Sequence, residues 1–457
     1  MLDPTILREY DIRGVVGQTL TVDGVRAIGR AFGTLVVREQ GRSVAVGYDG
    51  RLSSPMLEAA LVEGLASTGL AVYRIGLGPT PMLYFAAKHL GADGGMMITG
   101  SHNPPDYNGI KMLKAGKAFF GDDIARLGRM VADGDVVSGA GTVEQRDVSN
   151  AYIARLAQDM GPGRPLSVAW DPGNGAAGAV LRALCDRLPG RHIIINETVD
   201  GTFPAHHPDP TVEENLEDLK HAVAEHGCDL GIGLDGDGDR IGVIDETGTV
   251  VWGDQLLIIL ARPILAELPG STIIADVKSS QVFFDEIERL GGKALMSRTG
   301  HSLIKNLLTQ TGAPLAGEMS GHIFFAHRYY GYDDALYAAV RLLSVAAASD
   351  VGIAGMLQAL PAMVNTPELR IDCPDARKFG VIEEVRKRLK GVAGITVQDI
   401  DGVRVNTADG WWLLRASNTQ PVLVGRCEAA SKDGLDRLKR QLADQLSRSD
   451  VDAHAVG

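Results

Sequence analysis

The chain has 457 residues, enough for roughly three or four domains, and 45% of them are hydrophobic, so each domain can bury a core. A formal net charge of −12 argues against nucleic acid as a partner, because phosphate polyanions would be repelled. No apolar run reaches the ~18 residues of a membrane span, and charged residues interrupt the first fourteen positions, unlike the apolar centre of a signal peptide. The cysteines are far apart in the sequence, which favours a reducing cytoplasm and argues against a structural zinc: Cys185, Cys228, Cys373 and Cys427.

A unit of strand, turn, amphipathic helix and second strand occurs three times along the chain. Each first strand is rich in β-branched residues and ends in an aspartate: Asp49, Asp171 and Asp276. The predicted helices cover 55–68, 176–188 and 281–290, and the second strands begin at residues 71, 192 and 293. The pattern predicts three related α/β domains with mixed or parallel sheets, whose ligand loops lie at the carboxyl ends of the strands.

The last part of the chain has a different pattern. Short strands near 369, 395, 411 and 422 are joined by hairpin-like turns, with helices predicted over 378–389 and 432–446. This pattern predicts a small α+β domain. We place domain boundaries near residues 150, 253 and 365, giving domains 1–150, 151–252, 253–364 and 365–457.

The most specific local signal is the segment DGDGDR, at 235–240, between two strand-like runs. Its carboxylates, Asp235, Asp237 and Asp239, stand at alternate positions separated by glycines and can turn toward one point. Their mutual repulsion makes this arrangement costly unless a cation is present. Oxygen-only ligands favour Mg²⁺, Mn²⁺ or Ca²⁺ over zinc. The alternative is a solvated acidic turn.

A second segment, TGSHNPPDYNGIK at 99–111, follows the apolar run 95–98. Its prolines, glycines and asparagines forbid a helix and predict a loop after a strand. Ser101 does not fit the GxSxG pattern of hydrolases, because Thr99 stands where the first glycine should be. A serine near a divalent cation and basic residues fits phosphoryl transfer better than acyl transfer. Taken alone, the segment also fits an ordinary polar turn.

Two further loops carry polar groups between apolar runs. In GEMSGH, at 317–322, glycines bracket a carboxylate and a hydroxyl that could accept from sugar hydroxyls; it follows a stretch, 312–316, that we read as poor in strand. In RASNTQP, at 415–421, one guanidinium, two hydroxyls and an amide could cradle a phosphate. The alternatives are a tight turn and a hairpin loop. Singly, Tyr10, Arg13, Lys278 and His301 fit core, surface or capping roles as well as ligand roles.

Together these segments resemble the α-D-phosphohexomutase superfamily, and the likeness extends from EYDIRG near the start to VRVNTADGWWLLRASNTQPVLV near the end. In family order, they resemble its phosphoserine, metal, sugar and phosphate loops. The resemblance implies an α/β fold of three related domains with mixed sheets plus a C-terminal α+β domain, in a four-domain, heart-shaped arrangement around a central cleft. It also implies that the last domain moves to close over substrate.

The sequence GEMSG resembles the mannose/glucose branch of the superfamily. It implies interconversion of hexose 6-phosphate and hexose 1-phosphate through a phosphoserine and a hexose 1,6-bisphosphate that reorients in the site. Phosphoglucosamine mutase, a metal-dependent sugar-phosphate phosphatase and a non-catalytic sugar-phosphate binder are the alternatives. We expect a cytoplasmic monomer that binds small hexose phosphates, one Mg²⁺ per chain and hexose 1,6-bisphosphate as activator, and no nucleic acid or membrane.

The resemblance also implies roles for individual residues. Ser101 would carry the phosphate, with His102, Lys111 and Arg13 around it, and would join Asp235, Asp237 and Asp239 in holding the metal. Glu318 and Ser320 would grip the O3 and O4 hydroxyls, which trade places when the sugar turns over. Which basic group acts as acid or base stays open. The full substrate-binding set would be Tyr10, Arg240, Lys278, His301, Glu318, Ser320, His322, Arg415, Ser417, Asn418 and Thr419.

Overall fold

The computed structural model of the protein describes residues 2–418 and 420–457, and these form four sheets flanked by helices. The first sheet has seven strands: β1 (Ile12–Val15), β2 (Ser43–Tyr48), β3 (Ala71–Leu77), β4 (Gly94–Ile98), β5 (Tyr107–Lys114), β6 (Lys117–Ala118) and β7 (Thr142–Gln145). Its helices are α1 (Val22–Arg38), α2 (Ser54–Ala66), α3 (Thr80–His89) and α4 (Asp122–Asp133). The spatial order is β1-β5-β4-β2-β3-β7, with β6 paired to β5. The sheet is mixed, because β1, β5 and β6 are antiparallel to their neighbours and the other pairs are parallel.

The second sheet follows the helix α5 (Ser149–Ala157). Its strands and helices are β8 (Leu166–Asp171), α6 (Gly178–Cys185), β9 (Gly190–Ile194), α7 (Glu217–His226), β10 (Leu230–Leu234), β11 (Ile241–Asp245) and β12 (Val250–Val251). The spatial order is β12-β11-β10-β8-β9. This sheet is also mixed: β8, β9 and β10 are parallel, and β11 is antiparallel to both of its neighbours.

The third sheet has four strands in the order β14-β13-β15-β16, and only its last pair is antiparallel. Its elements are α8 (Gly253–Glu267), β13 (Thr272–Asp276), α9 (Gln281–Arg289), β14 (Lys293–Ser297), α10 (His301–Thr311), β15 (Leu315–Gly317), β16 (Ile323–Phe325), α11 (Ala335–Ala347) and α12 (Ile353–Gln358).

The fourth sheet is antiparallel throughout. Its elements are β17 (Val364–Asn365), β18 (Leu369–Asp372), α13 (Asp375–Leu389), β19 (Thr396–Gln398), β20 (Val403–Thr407), β21 (Gly410–Ala416), β22 (Val422–Ala429) and α14 (Lys432–Ser447). We call residues 364–457 the C-terminal unit. Short 3-10 helices cover Pro4–Ile6, Glu213–Leu216 and His454–Val456. The predicted α/β fold class, with three mixed sheets and a C-terminal α+β part, is confirmed; the domain boundaries stay predictions.

Two stretches differ from the sequence-based expectation. The segment 99–111 is a loop only as far as residue 106, because β5 begins at Tyr107 and pairs with both β1 and β4. The stretch 312–316 leads into β15, which is an inner strand of the third sheet. In both places glycine and proline suggested a loop, whereas pairing with strands distant in sequence decided the conformation.

The hydrophobic cores do not correspond one to one with the four sheets. One continuous core includes buried side chains from the first three sheets and their helices, such as Met82, Trp170, Leu257 and Tyr337. The outer face of the first sheet has its own core, and so does the C-terminal unit. Within the described residues, no helix is both long and apolar enough to cross a membrane.

Candidate active site

Ser101 lies in the turn that follows β4, with 2% of its surface exposed. Its φ of +48° puts it in the left-handed region, an uncommon conformation for a residue with a side chain. Its hydroxyl donates to Oδ2 of Asp235 at 2.8 Å and lies 3.3 Å from Nδ1 of His102. The serine proposed as phosphate carrier therefore touches the acidic segment of the second sheet directly.

A buried arginine that the sequence analysis missed holds the Ser101 loop. Arg51 is 1% exposed, and its guanidinium donates to the carbonyl oxygens of Ser101, Asn103, Pro104 and Tyr107 at 2.5 to 3.0 Å. The only hint in the sequence was its position two residues after the strand-ending Asp49. That aspartate completes the support, since its Oδ2 accepts from the Gly100 N–H at 2.9 Å.

The three aspartates of the segment 235–240, which are Asp235, Asp237 and Asp239, are completely buried. Gly238, with φ of +71°, allows the tight turn, and Oδ1 of Asp235 accepts from the backbone N–H groups of Asp239 and Arg240 at 3.1 Å each. Lys111 donates to Oδ2 of Asp237 at 2.8 Å and to Oδ2 of Asp239 at 2.5 Å. The lysine expected beside the phosphate thus lies among the carboxylates.

The pKa values in this cluster reflect its charge. Burial, followed by repulsion from Asp237 and Asp239, raises the pKa of Asp235 well above its usual value. Burial alone would lower the pKa of Lys111, but attraction to Asp237 and Asp239 outweighs it, and the net effect raises this pKa. Lys111, Arg240 and His322 all lie close enough to offset part of the negative charge of these carboxyl groups.

The acidic cluster fits a hard divalent cation. Its donor set consists of carboxylate oxygens, which come within 4.8 Å of one another. Oδ1 of Asp237 is buried and has no hydrogen-bond partner among the described residues, whereas Oδ1 of Asp239 lies 3.3 Å from Nε2 of His322. An unpaired buried anionic oxygen is costly unless a cation binds it, and Mg²⁺ prefers oxygen ligands of this kind.

Basic groups surround Ser101. Arg13 donates to the carbonyl oxygen of Gly100 at 2.8 Å and also contacts Asp11 and Asn103. Burial, and then the neighbouring cations Arg240 and Arg13, hold the pKa of His102 well below its usual value, so its imidazole is neutral at neutral pH.

The loop between β15 and β16 reaches the same cluster through His322. Nδ1 of His322 lies 2.9 Å from Oε2 of Glu318 and 3.2 Å from Oγ of Ser320, and its Nε2 lies 3.3 Å from Oδ1 of Asp239. Burial opposes the charged form, but Asp239 and Glu318 raise the pKa of His322 to about 9. The same contact lowers the pKa of Glu318 to about 2, against the effect of burial. Arg240 also approaches, with its Nε 3.3 Å from Nε2 of His322.

The other predicted residues of the third sheet lie beside this loop. His301 stacks on His322, with ring centroids 5.6 Å apart. Burial, and then Lys305, lower the pKa of His301. Lys278 forms an ion pair with Glu368 of the C-terminal unit, with Nζ and Oε2 3.0 Å apart.

The loop of the C-terminal unit meets the N-terminal part of the chain. The Asn418 amide donates to the Tyr10 hydroxyl at 2.6 Å, and that hydroxyl donates to the carbonyl oxygen of Thr299 at 2.8 Å. Nε of Arg415 donates to Asp401 at 2.9 Å. The hydroxyl of Ser417 accepts from the Gln420 N–H at 3.2 Å. Thr419, also predicted as a phosphate ligand, lies outside the described residues.

Four families match successive parts of the chain: the phosphoglucomutase/phosphomannomutase alpha/beta/alpha domains I, II and III over residues 4–135, 150–248 and 252–364, and the C-terminal domain over residues 368–445. The chain belongs to the phosphoglucomutase/phosphomannomutase family.

Individual relatives are similar to this chain over nearly its whole length. A protein of Pseudomonas aeruginosa named phosphomannomutase/phosphoglucomutase is 43% identical over 449 residues, covering 98% of this chain and 97% of that protein. A phosphoglucomutase of Neisseria gonorrhoeae is 42% identical, with 95% of each chain covered. The crystal structure of a phosphoglucomutase/phosphomannomutase family protein from Burkholderia thailandensis superposes with a TM-score of 0.93 at 41% identity, over 98% of each chain.

Proposed function

We propose that the protein interconverts hexose 6-phosphate and hexose 1-phosphate, with mannose and glucose phosphates as substrates, through a phosphoserine at Ser101. The observation that carries this proposal is the contact of the Ser101 hydroxyl with Asp235, in a cluster that also contains Lys111. The names of the relatives support the same reaction for mannose and glucose phosphates.

The acidic cluster would hold one Mg²⁺ per chain, through Asp235, Asp237, Asp239 and Ser101. When bound, the ion supplies positive charge that offsets the negative charge on a transferring phosphoryl group. Lys111 adds a cation from the protein side, since its ammonium group already contacts Asp237 and Asp239.

The serine would exchange phosphate with the sugar in two steps. In the first, the bond between Oγ of Ser101 and phosphorus breaks while a sugar hydroxyl oxygen bonds to phosphorus; the hydroxyl proton passes to a nearby base, and the departing Oγ takes up a proton to become the serine hydroxyl. The resulting hexose 1,6-bisphosphate then turns over and returns its other phosphate to Ser101. Arg13 and His102 would shape the phosphate site, and hexose 1,6-bisphosphate would activate any enzyme molecule that has lost its phosphate.

The remaining predicted residues would hold the sugar in both orientations. The phosphate that is not reacting would bind the loop of the C-terminal unit. The sugar hydroxyls would bind Glu318 and Ser320, next to His322. The groups proposed for the phosphate are Arg415, Ser417, Asn418 and Thr419, and those proposed for sugar or phosphate are Tyr10, Arg240, Lys278 and His301.

We also infer that the enzyme acts as a monomer in the cytoplasm. All four cysteines are buried and free, which is consistent with a reducing compartment. The net charge of −12 does not favour nucleic acid or an anionic membrane surface as a partner.

A coupled assay with mannose 1-phosphate and glucose 1-phosphate tests the proposal. We expect turnover of both sugars by the wild type, stimulated by glucose 1,6-bisphosphate, and a loss of at least about 1,000-fold in Ser101→Ala, because the phosphate carrier is removed. Ser138→Ala, at an exposed serine bonded to Arg30, is the matched control and should retain full activity. Intact-mass spectra should show one phosphoryl group on the wild type and none on Ser101→Ala.

Two results would contradict the proposal. Release of free phosphate that survives in Ser101→Ala would indicate a metal-dependent phosphatase. A markedly higher kcat/KM for glucosamine 1-phosphate than for the neutral sugars would indicate a phosphoglucosamine mutase.

A further inference from the structure

Two buried threonines contact the carboxylate of Asp237. Thr80 is the first residue of α3, Thr99 follows β4 directly, and neither is exposed to solvent. The Thr80 hydroxyl donates to Oδ2 of Asp237 at 2.5 Å, and the Thr99 hydroxyl donates to the same oxygen at 3.0 Å. Lys111 supplies a third donor at 2.8 Å. This one oxygen of Asp237 therefore receives three hydrogen bonds from the first sheet and its helix α3.

The two carboxylate oxygens of Asp237 have different surroundings. Oδ1 is buried and has no hydrogen-bond partner among the described residues. The three donors on Oδ2 occupy the lone pairs of that oxygen and fix the rotation of the carboxylate group. Oδ1 is then the oxygen that remains for a cation, and it is held in one orientation whether or not a cation is bound.

Backbone contacts hold Thr80 itself in place. Prolines precede and follow it, at 79 and 81, and restrict the backbone on either side. The Thr80 N–H donates to the carbonyl oxygen of Asp237 at 2.8 Å, so Thr80 binds both the backbone and the side chain of that aspartate. A Cβ added to Gly238 would lie 2.9 Å from Cβ of Pro79, because the start of α3 packs closely against the segment 235–240.

Thr99 connects the Ser101 loop to the same carboxylate. Its hydroxyl accepts from the Ser101 N–H at 2.9 Å while it donates to Oδ2 of Asp237. One hydroxyl group therefore sets the position of the proposed phosphate carrier relative to a proposed metal ligand. Without this hydroxyl, the buried Ser101 N–H would lose its acceptor and Asp237 would lose a donor, and buried polar groups without partners are costly.

We propose that Thr80 and Thr99 are positioning residues of the Mg²⁺ site, which aim Oδ1 of Asp237 at the cation. This inference rests on the Mg²⁺ site of the proposed function. Hydrogen bonds that orient a metal ligand typically contribute roughly 10- to 100-fold to metal affinity. Removing either hydroxyl should therefore act through the metal, by weakening its binding.

Mn²⁺ binding to the full-length protein tests the proposal without an activity measurement, because Mn²⁺ also accepts oxygen ligands and free Mn²⁺ can be counted by electron paramagnetic resonance. Thr80→Val and Thr99→Val keep the size of the side chain and remove the hydroxyl, and each should weaken Mn²⁺ binding about tenfold. Thr80→Ser and Thr99→Ser keep the hydroxyl and should stay within about threefold of the wild type.

Thr34→Val is the matched control. Thr34 is as buried as the two proposed residues, and its hydroxyl donates to the carbonyl oxygen of Arg30 at 2.8 Å within α1. This variant should change Mn²⁺ affinity less than about twofold, because its hydroxyl orients no metal ligand.

The mutase assay separates positioning from a merely structural role. Thr80→Val should need about ten times more Mg²⁺ for half-maximal turnover, recover the wild-type kcat at saturating Mg²⁺ and keep the KM for glucose 1-phosphate. Thr99→Val should recover kcat only in part, because the Ser101 N–H also loses its acceptor. A merely structural role would lower the temperature of unfolding and leave the Mg²⁺ requirement unchanged.

Wild-type Mn²⁺ affinity in a valine variant would overturn the role of that threonine. Equal weakening in Thr34→Val, or weakening by the serine variants as large as by the valine variants, would overturn both roles. If Thr80→Val does not fold, Thr99→Val decides the question. A wild-type chain that binds no Mn²⁺ would refute the Mg²⁺ site together with this inference. A chain that binds Mn²⁺ as expected but shows no mutase activity would refute the proposed reaction and leave the positioning of Asp237 standing.

Discussion

The first three sheets and the C-terminal unit are joined to the rest of the molecule in different ways. The first three share one continuous hydrophobic core, in which Met82 comes from α3, Trp170 from β8 and Leu257 from α8. The C-terminal unit has a core of its own and meets the third sheet through a small apolar cluster of Val277, Trp411 and Leu413. Separating any of the first three sheets from the others would expose part of the shared core, whereas separating the C-terminal unit would expose only this small apolar cluster.

Buried hydrogen bonds also hold the C-terminal unit against the loop after β13 and the start of α9. Arg404 is completely buried, lies 3.8 Å from the ring centroid of Trp411, and donates to the carbonyl oxygens of Val277 and Ser279 at 2.7 and 2.8 Å. Gln281 donates its backbone N–H to Glu428 at 3.0 Å. The loops that carry Ser101, Asp235 and Glu318 therefore stand on one scaffold, while the loop that carries Asn418 stands on a unit that directional contacts hold in place.

The largest expected effect concerns the shared core. Leu257→Ala should lower the free energy of unfolding by about 3 kcal/mol, because it leaves a cavity in that core. Leu438→Ala, the matched change in the core of the C-terminal unit, should cost a similar amount. Hydrogen–deuterium exchange should show faster exchange across all of the first three sheets in Leu257→Ala, and only in residues 364–457 in Leu438→Ala. If both variants loosened the same peptides equally, the distinction between the two regions would be wrong.

A pH effect should arise within the scaffold, at His322. Its pKa is raised from 6.5 to about 9 in the folded protein, so its contribution to stability is fully present below pH 6.5 and disappears as the pH rises through about 9. The contribution is at most about 3 kcal/mol. Denaturant unfolding measured across this pH range should show the free energy of unfolding of the wild type falling by that amount. In His322→Gln the free energy of unfolding should fall less. His454→Gln, at an exposed histidine, should behave like the wild type; an unchanged slope in His322→Gln would contradict the assignment.

Arg404→Leu should weaken the attachment of the C-terminal unit by about 2 kcal/mol, because two buried carbonyl oxygens lose their donor. Proteolysis of the connection 359–363 should then be faster by about thirtyfold, provided that cleavage follows detachment of the unit. Arg437→Leu is the control, since the pair that this exposed arginine makes with Asp409 lies within the C-terminal unit. Equal cleavage rates in the two variants would show that Arg404 does not hold the units together.

The smallest effect should come from the contact between Asn418 and Tyr10. Asn418→Ala removes the donor to the Tyr10 hydroxyl and should shift the protein toward open forms by about 1 kcal/mol. Small-angle scattering without ligand should show a slightly larger radius of gyration for Asn418→Ala than for the wild type. Adding glucose 1,6-bisphosphate should make the radius of gyration of the wild type smaller. Gln420→Ala, which loses only a contact with Arg370 within the same unit, is the control. No compaction of the wild type would refute closure of the last domain.

Local sequence patterns predicted most of the framework. The strands β2, β8 and β13 end at, or one residue before, the aspartates that marked the three repeated units. Local patterns did not identify residues whose contacts are with distant parts of the chain. Arg51 is a single arginine in a turn, and only the folded chain brings it to the carbonyl oxygens of residues 101–107. Asp333 belongs to no motif, and only the folded chain brings it to Lys305 and His301.

Local periodicity and turn chemistry were enough to predict the α/β class, the strand–turn–helix units and the loops where reactive groups cluster. Contacts between distant segments make β5 and β15 paired strands, bring Lys111 between Asp237 and Asp239, and place His322 between Glu318 and Asp239. Those outcomes depend on charges and backbone groups far apart in sequence, which no local pattern encodes. In the sequence, the Ser101–His102 pair also fits a polar turn; burial against Asp235 makes Ser101 part of an acidic cluster.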